Sequence, residues 1–397
     1  MPVGASPPED WRSAGFGLYI HWPFCASKCP YCDFNSHVVA RIDQRRWRDA
    51  YVAEIRRGAA ELPGRVLNTV FFGGGTPSLM APEVVADVLD AIRAGWPLAN
   101  DLEVTLEANP GSVEAGRFAG YRQAGVTRIS MGVQALNDAD LRRLGRLHCV
   151  AEARAGFDVA RREFDRVSFD LIYARQDQTP EDWRRELAEA LSMAVDHLSL
   201  YQLTIEDGTP FAARAAAGGL RGLPDDDRAA DLYALTQELC DAAGMPAYEV
   251  SNHARAGAES RHNLLYWRSG DWAGIGPGAH GRLTLEGVRW ATDTPRAPGD
   301  WLARVEAHGT ESRQRLDRDE TAEELLMMGL RLSEGVALDR LHRLGVEIAP
   351  PALASLREDG MIWVGEGRIG TTAAGRLVLN GVLRGLTLQP MERQPAE

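Results

Sequence analysis

The stretch Leu18-Tyr-Ile-His-Trp-Pro-Phe-Cys25-Ala-Ser-Lys-Cys29-Pro-Tyr-Cys32-Asp-Phe-Asn-Ser36 holds three of the chain's five cysteines, spaced C-x3-C-x2-C. Three thiolates this close on one loop can hold three irons of a 4Fe–4S cube. Such clusters usually take four cysteine ligands, so the fourth iron would be left open to a small molecule. The apolar run from Phe16 to Trp22 reads as a strand leading into the loop. Pro23 and Pro30 keep the loop out of helix. The alternatives are a zinc site or chance. Structural zinc prefers four ligands, often as two separated pairs, and a single triplet with aromatic flanks fits that poorly.

With 397 residues, 45% hydrophobic and 25% charged, the chain has ordinary globular usage and enough length for two domains. Its net charge of −12 opposes a non-specific nucleic-acid surface. No run of 18 apolar residues occurs, so no transmembrane helix is expected. Residues 1–10 lack the basic start and apolar centre of a signal peptide, and a reducing cytosol is the expected compartment. Cys149 and Cys240 stand alone and suit buried small hydrophobes; His148 beside Cys149 makes that pair a minor candidate for haem or iron contact.

Around the cysteine loop the pattern alternates strand and helix. Residues 1–12 read as a disordered N-terminus. Strands are expected at 65–72, 102–108, 126–133, 167–173 and 197–203, with helices at 82–93, after Pro110, at 151–163 and at 181–193. Counting the opening strand, these are six β/α-type units. Repeated β/α units with right-handed crossovers argue a parallel sheet, here an incomplete (β/α)6 barrel over residues 13–210. In such folds chemistry sits at the C-terminal ends of strands. The cysteine loop, the run Gly73-Gly-Gly75-Thr76-Pro77, Glu107 and Gln134 all fall there. Glycines at 73–75 let backbone approach a ligand and offer N–H groups to a carboxylate, although a glycine run can also be only a tight turn. A helix is expected at 224–243. Residues 211–295 read as a barrel extension, rich in glycine and aromatics from 246 onward, and 295–299 as a linker. Residues 300–385 read as a small α+β winged-helix-like C-terminal domain, with helices at 321–332, 338–344, 352–359 and 373–383 and a hairpin at 360–371. Residues 386–397 read as a tail.

The cysteine loop, with its His21-Trp22-Pro23-Phe24 approach, resembles the cluster motif of radical S-adenosylmethionine (SAM) enzymes. Within them it is similar to the branch that holds oxygen-independent coproporphyrinogen III oxidases and the HemW-like haem chaperones. The resemblance implies the open (β/α)6 barrel, a 4Fe–4S cluster on Cys25, Cys29 and Cys32, and SAM as ligand of the open iron. It assigns Gly74, Gly75 and Thr76 to SAM's amino-acid part and points to Tyr19, Glu107, Gln134, Arg146 and Asp170. Glu107 and Arg146 can complement a zwitterion, and Asp170 or Gln134 can hold ribose hydroxyls. A solvated helix arm for Arg146 and an ion pair for Glu107 are the plainer readings. Where the family commonly shows Gly-Leu-Pro after Asp-Leu-Ile-Tyr, this chain has Ala174-Arg175-Gln176.

The oxidases carry a further cysteine two residues after the third; here that position is Phe34. The chaperones resemble one another at His-Asn-x-x-Tyr-Trp, present as His262-Asn263-Leu264-Leu265-Tyr266-Trp267. Imidazole can ligate haem iron and aromatics can stack on a porphyrin, so His262 is the expected haem contact. A histidine among aromatics is also commonly a packed, hydrogen-bonded residue. His280, in Gly274-Ile-Gly-Pro-Gly-Ala-His280, His253 and His148 are the other candidates. The resemblance therefore implies a chaperone that binds haem and passes it to an apo-haemoprotein, such as a membrane respiratory enzyme. The alternative is the oxidase, a radical decarboxylase using the same cluster and SAM site.

Overall fold

Strand β1 (Phe16–Trp22) is the axis of the molecule. Its alternation sends Phe16, Leu18, Ile20 and Trp22 into the core, where Trp22 packs on Trp47 and Tyr51 of the helix Gln44–Glu61. Gly17, Tyr19 and His21 take the other face. The computed structural model describes residues 10–111, 115–309 and 311–391. Next come β2 (Leu67–Gly74), β3 (Leu98–Ala108), β4 (Arg128–Gln134), β5 (Arg166–Tyr173) and β6 (His197–Gln202), each parallel to its predecessor. The crossovers include the helices Pro82–Gly95, Val150–Glu163 and Pro180–Met193. Their starts follow from sequence: Pro82 and Pro180 sit in the first turn, and Thr179 and Asp182 form a capping box. The six expected β/α strands are all present, in the order predicted.

Residues beyond β6 lengthen the same sheet rather than forming a separate layer. β7 (Asn252–Ala254) pairs antiparallel with β6. β8 (Asp271–Ile275) pairs parallel with β1, and β9 (His280–Leu285), β10 (Val288–Asp293) and β11 (Ser312–Arg315) continue antiparallel from it. The eleven-stranded order is β11-β10-β9-β8-β1-β2-β3-β4-β5-β6-β7. The short helix Arg261–Trp267 crosses beneath β1 and β2, its N-terminal N–H groups on the Glu103 carboxylate.

A second core holds Leu325, Leu326, Leu330, Leu341, Ile362 and Ile369. It is built from the helices Arg318–Gly329, Leu338–Arg343 and Pro350–Glu358 and a three-stranded sheet of β12 (Val336–Ala337), β14 (Ile362–Gly365) and β15 (Arg368–Thr371), a winged-helix arrangement. Four local expectations need correction. Residues 1–9 lie outside the described residues, but Asp10–Ser13 forms a helical turn rather than a loose start, because Trp11 is buried under the Arg65 guanidinium. The linker ends early, as Pro298 opens the helix Pro298–Glu306, whose Trp301 stacks on Trp47. The closing helix breaks at Val378 into Ala373–Leu377 and Leu379–Gly385. The tail is not wholly loose: β16 (Leu388–Pro390) pairs with β13 (Val346–Ile348), whose backbone would otherwise be unpaired. Residues 392–397 lie outside the described residues.

A candidate cluster and cofactor site

The C-terminal ends of β2 to β5 and the loop after β1 close around one cavity of about 150 Å³. Its wall contains Cys25, Cys29 and Cys32, then Gly74, Gly75 and Thr76, then Glu107, Gln134, Arg146 and Asp170. All three thiols are free and half-buried. The glycines are needed for contact. A Cβ on Gly75 would stand 2.7 Å from the Phe24 carbonyl oxygen, and Gly74 has φ +110 with the His21 ring 2.6 Å from where its Cβ would be. Gly75 N–H donates to the Trp22 carbonyl (2.7 Å) and Thr76 N–H to that of Phe24 (2.8 Å), so the glycine run and the cysteine loop are stitched together by backbone.

A chain of side-chain hydrogen bonds then links two cysteines. Arg146 Nη1 donates to Cys29 Sγ (3.4 Å) and its Nη2 to Asn109 Oδ1 (2.6 Å) and the Gly132 carbonyl (2.8 Å). Asn109 Nδ2 donates to Thr76 Oγ1 (3.3 Å), which donates to Cys25 Sγ (3.4 Å). Arg146 is thus a positioned cavity group, not a solvated arm. Burial pushes the Cys25 thiol up while the Thr76 hydroxyl opposes that shift. An arginine and a hydroxyl on thiol sulfur favour the thiolate that iron requires.

Opposite the cysteines stand two half-buried acids, Glu107 and Asp170. Glu107 receives the Gly74 N–H (3.3 Å); burial, then the nearby Asp170 charge, push its carboxyl up to about 8. Asp170 is held by Ser130 Oγ (3.4 Å) and pushed up to about 6, mainly by burial. No cation pairs with Glu107 among the described residues, so the plainer reading of it as one arm of an ion pair is not what the fold builds. Gln134 ends β4 with φ 74, in the left-handed region, at a register shift that turns the strand end toward the cavity.

Tyr19 lies outside this cavity wall. Its hydroxyl donates to His21 Nδ1 (3.1 Å), while His21 Nε2 donates to the Asn35 carbonyl (2.9 Å). Burial lowers the His21 pKa, which keeps that tautomer neutral.

His262, the expected haem contact, is packed inside the fold. It is 1% exposed, its Nδ1 meets Thr69 Oγ1 (2.8 Å) and its Nε2 meets Tyr266 OH (2.7 Å), and its ring stacks on Phe71. Both ring nitrogens are used, so as folded this histidine has none to offer a haem iron. Burial alone lowers its pKa to about 3. The His-Asn-x-x-Tyr-Trp motif closes the floor of the barrel. His253 is buried against Gln237, and His148 Nε2 is tied to the Val133 carbonyl (3.1 Å). Cys149 begins a helix and Cys240 is fully buried. His280 starts β9 and is exposed.

The departure at Ala174-Arg175-Gln176 has a structural account. Ala174 takes φ 58, and Arg175 turns inward to Asp140 (2.9 Å) and to Glu186, which itself receives the Leu136 N–H (2.6 Å). Asn109, Ser130 and Asn35 are not singled out by the sequence, and His21 only as part of the approach to the cysteine loop. Asn109 had a local signal, being next to Ala108 in Glu-Ala-Asn-Pro; the others are ordinary polar residues until the fold aims them.

Among the described residues no three His, Cys, Asp or Glu side chains converge on a single metal ion. Cys25, Cys29 and Cys32 share the wall of one cavity. No described helix is long and apolar enough to cross a membrane.

Residues 19–190 match the Radical SAM superfamily and residues 316–378 the HemN C-terminal domain. The chain is 42% identical over 84% of its length, and 77% of the relative's, to mouse "Radical S-adenosyl methionine domain-containing protein 1, mitochondrial". It is 39% identical to "Heme chaperone HemW" of Mycobacterium tuberculosis, over 94% of each chain. Coproporphyrinogen III oxidase (HemN) from Escherichia coli superposes with a TM-score of 0.78 at 22% identity, covering 94% of this chain and 92% of that one, a likeness of fold. With its cysteine loop at the mouth of an open parallel barrel and a HemN-type C-terminal domain, the chain belongs to the radical SAM superfamily, in the HemW-like family related to oxygen-independent coproporphyrinogen III oxidases.

Proposed function

We propose that the protein is a haem chaperone that holds a 4Fe–4S cluster on Cys25, Cys29 and Cys32, binds SAM beside it, and passes haem to an apo-haemoprotein in the cytosol, such as the soluble face of a membrane respiratory enzyme. The observation that carries the reading is the hydrogen-bonded run Cys29–Arg146–Asn109–Thr76–Cys25 around one cavity that also holds the acids Glu107 and Asp170. Thiols dressed by a cation and a hydroxyl suit iron; acids held above their ordinary range beside them suit a ligand that arrives with positive charge. Cys25, Cys29 and Cys32 would hold the cluster, which in its reduced form would supply an electron for reductive cleavage of SAM. Gly74 and Gly75 let the chain pass close to the ligand's amino-acid part, their N–H groups and that of Thr76 being held by Glu107 and the Trp22 and Phe24 carbonyls; Glu107 receives its ammonium, Arg146 steadies the cysteine loop, and Gln134 and Asp170 take ribose hydroxyls. Tyr19, through His21, braces the wall behind Gly74.

The haem half of the proposal is supported by the name of the relatives and by Phe34. That side chain, at the position of the oxidases' further cysteine, is 58% exposed. The test is paired. Reconstituted protein is compared with a triple Cys25→Ala, Cys29→Ala, Cys32→Ala variant for iron, sulfide and bound SAM. Wild type is then offered haem and, separately, coproporphyrinogen III with SAM and reductant. Saturable haem binding without protoporphyrinogen is expected. Protoporphyrinogen formed with turnover, and no haem binding, would replace the chaperone with the oxidase.

A further inference from the structure

A second cavity, of about 370 Å³, lies where the β9–β10 hairpin meets the C-terminal winged helix, away from the cysteine loop. Five arginines line it and a single acid, Asp317, which caps a helix by accepting the Glu320 N–H. On a chain of net charge −12 this is a local reversal of sign. Arg289 is neutralised by Asp271 (3.1 Å) and Glu324 (3.5 Å). Arg315 and Arg318 are exposed and have no carboxylate partner among the described residues. Leu316, Leu325 and Leu344 supply apolar wall between the cations. Two free guanidinium groups over a leucine-lined cleft match a flat apolar molecule that carries carboxylates at one edge. The second cavity falls in the range of about 300–1,000 Å³ usual for small-molecule sites. No lining residue is histidine, cysteine or methionine, so binding here would not depend on a bond to iron.

We infer that this cavity receives the carboxylate edge of the haem cargo, with Arg315 and Arg318 on the two propionates and the leucines against the adjoining ring edge. The inference rests on the haem-chaperone reading and adds the place and the chemistry of capture. The test titrates haem and iron-free protoporphyrin IX into the full-length reconstituted protein, following the Soret band and porphyrin fluorescence. The variants are Arg315→Glu with Arg318→Glu and, as a milder pair, Arg315→Gln with Arg318→Gln; near-UV circular dichroism and cluster content report on their fold. Wild type should bind both ligands with similar affinity, weakening with salt, and the charge-reversed pair should bind both about tenfold or more less tightly. Folded variants that bind haem like wild type would overturn the inference and leave the chaperone reading standing. So would wild type that binds haem but not the iron-free porphyrin. Wild type that binds neither would overturn the chaperone reading and this inference with it.

Discussion

Replacing Gly75 with alanine tests the tie between the glycine strand end and the cysteine loop. The new Cβ would stand 2.7 Å from the Phe24 carbonyl oxygen, 2.9 Å from its carbon and 3.0 Å from its nitrogen. All three are backbone atoms, so no side chain can swing aside. Ordinary contact begins near about 3.5 Å, and the Phe24–Cys25 segment must therefore retreat by roughly 0.8 Å. That exceeds the ~0.5 Å tolerance of a positioned constellation. The retreat also strains the Thr76-to-Phe24 hydrogen bond at 2.8 Å and carries Cys25 away from Thr76. Overpacking of this kind costs about 1–3 kcal/mol. We expect a protein that still folds, with a lower denaturant midpoint, but retains little iron and sulfide after anaerobic reconstitution. Gly299→Ala, where nothing stands within 4 Å of the new Cβ, is the control and should be neutral. Full cluster content and wild-type stability in Gly75→Ala would refute the claim that this backbone contact sets the cysteine loop.

Other outcomes follow from the same geometry. The Glu107 carboxyl, raised from 4.5 to about 8, is mostly protonated at neutral pH, so affinity for cationic SAM should rise with pH up to about 8; calorimetry should find that slope flattened in Glu107→Gln. Because the unfolded chain ionises first, the stability this neutral acid contributes is present below its ordinary range and lost as pH rises toward 8; Glu107→Gln should lessen that loss in denaturant titrations. His262→Ala removes a buried ring and strands Thr69 and Tyr266, and should cost about 3 kcal/mol in urea while leaving haem affinity unchanged; a selective loss of haem binding would return this residue to the haem site. Arg175→Ala removes the buried cation shared by Asp140 and Glu186, leaving Asp140 only the longer Arg143 pair at 3.6 Å, and should cost about 3–5 kcal/mol; a change under ~1 kcal/mol would show the network to be dispensable.

What the sequence alone determined is what lies in short stretches. C-x3-C-x2-C needs one loop, the strands β1 to β6 announce themselves by short apolar or alternating stretches, and Glu107 and Gln134 follow from being at strand ends. In a β/α fold local pattern implies position, because every strand C-terminus points to the same mouth. Tertiary structure alone decided the rest. Nothing near Phe16 forecasts its pairing with Asp271, and nothing near His262 says that Thr69 and Phe71 wait beneath it. The His-Asn-x-x-Tyr-Trp motif read as a ligand because imidazole and aromatics are the same groups whether they face a porphyrin or a packed barrel floor. The difference is burial and a second hydrogen bond, and both are supplied by strands about two hundred residues away. Likewise Arg315 and Arg318 look like any solvated charges in sequence. They become a site only where a hairpin and a winged helix leave a leucine-walled gap between them, since a cleft is a property of two surfaces and not of either one.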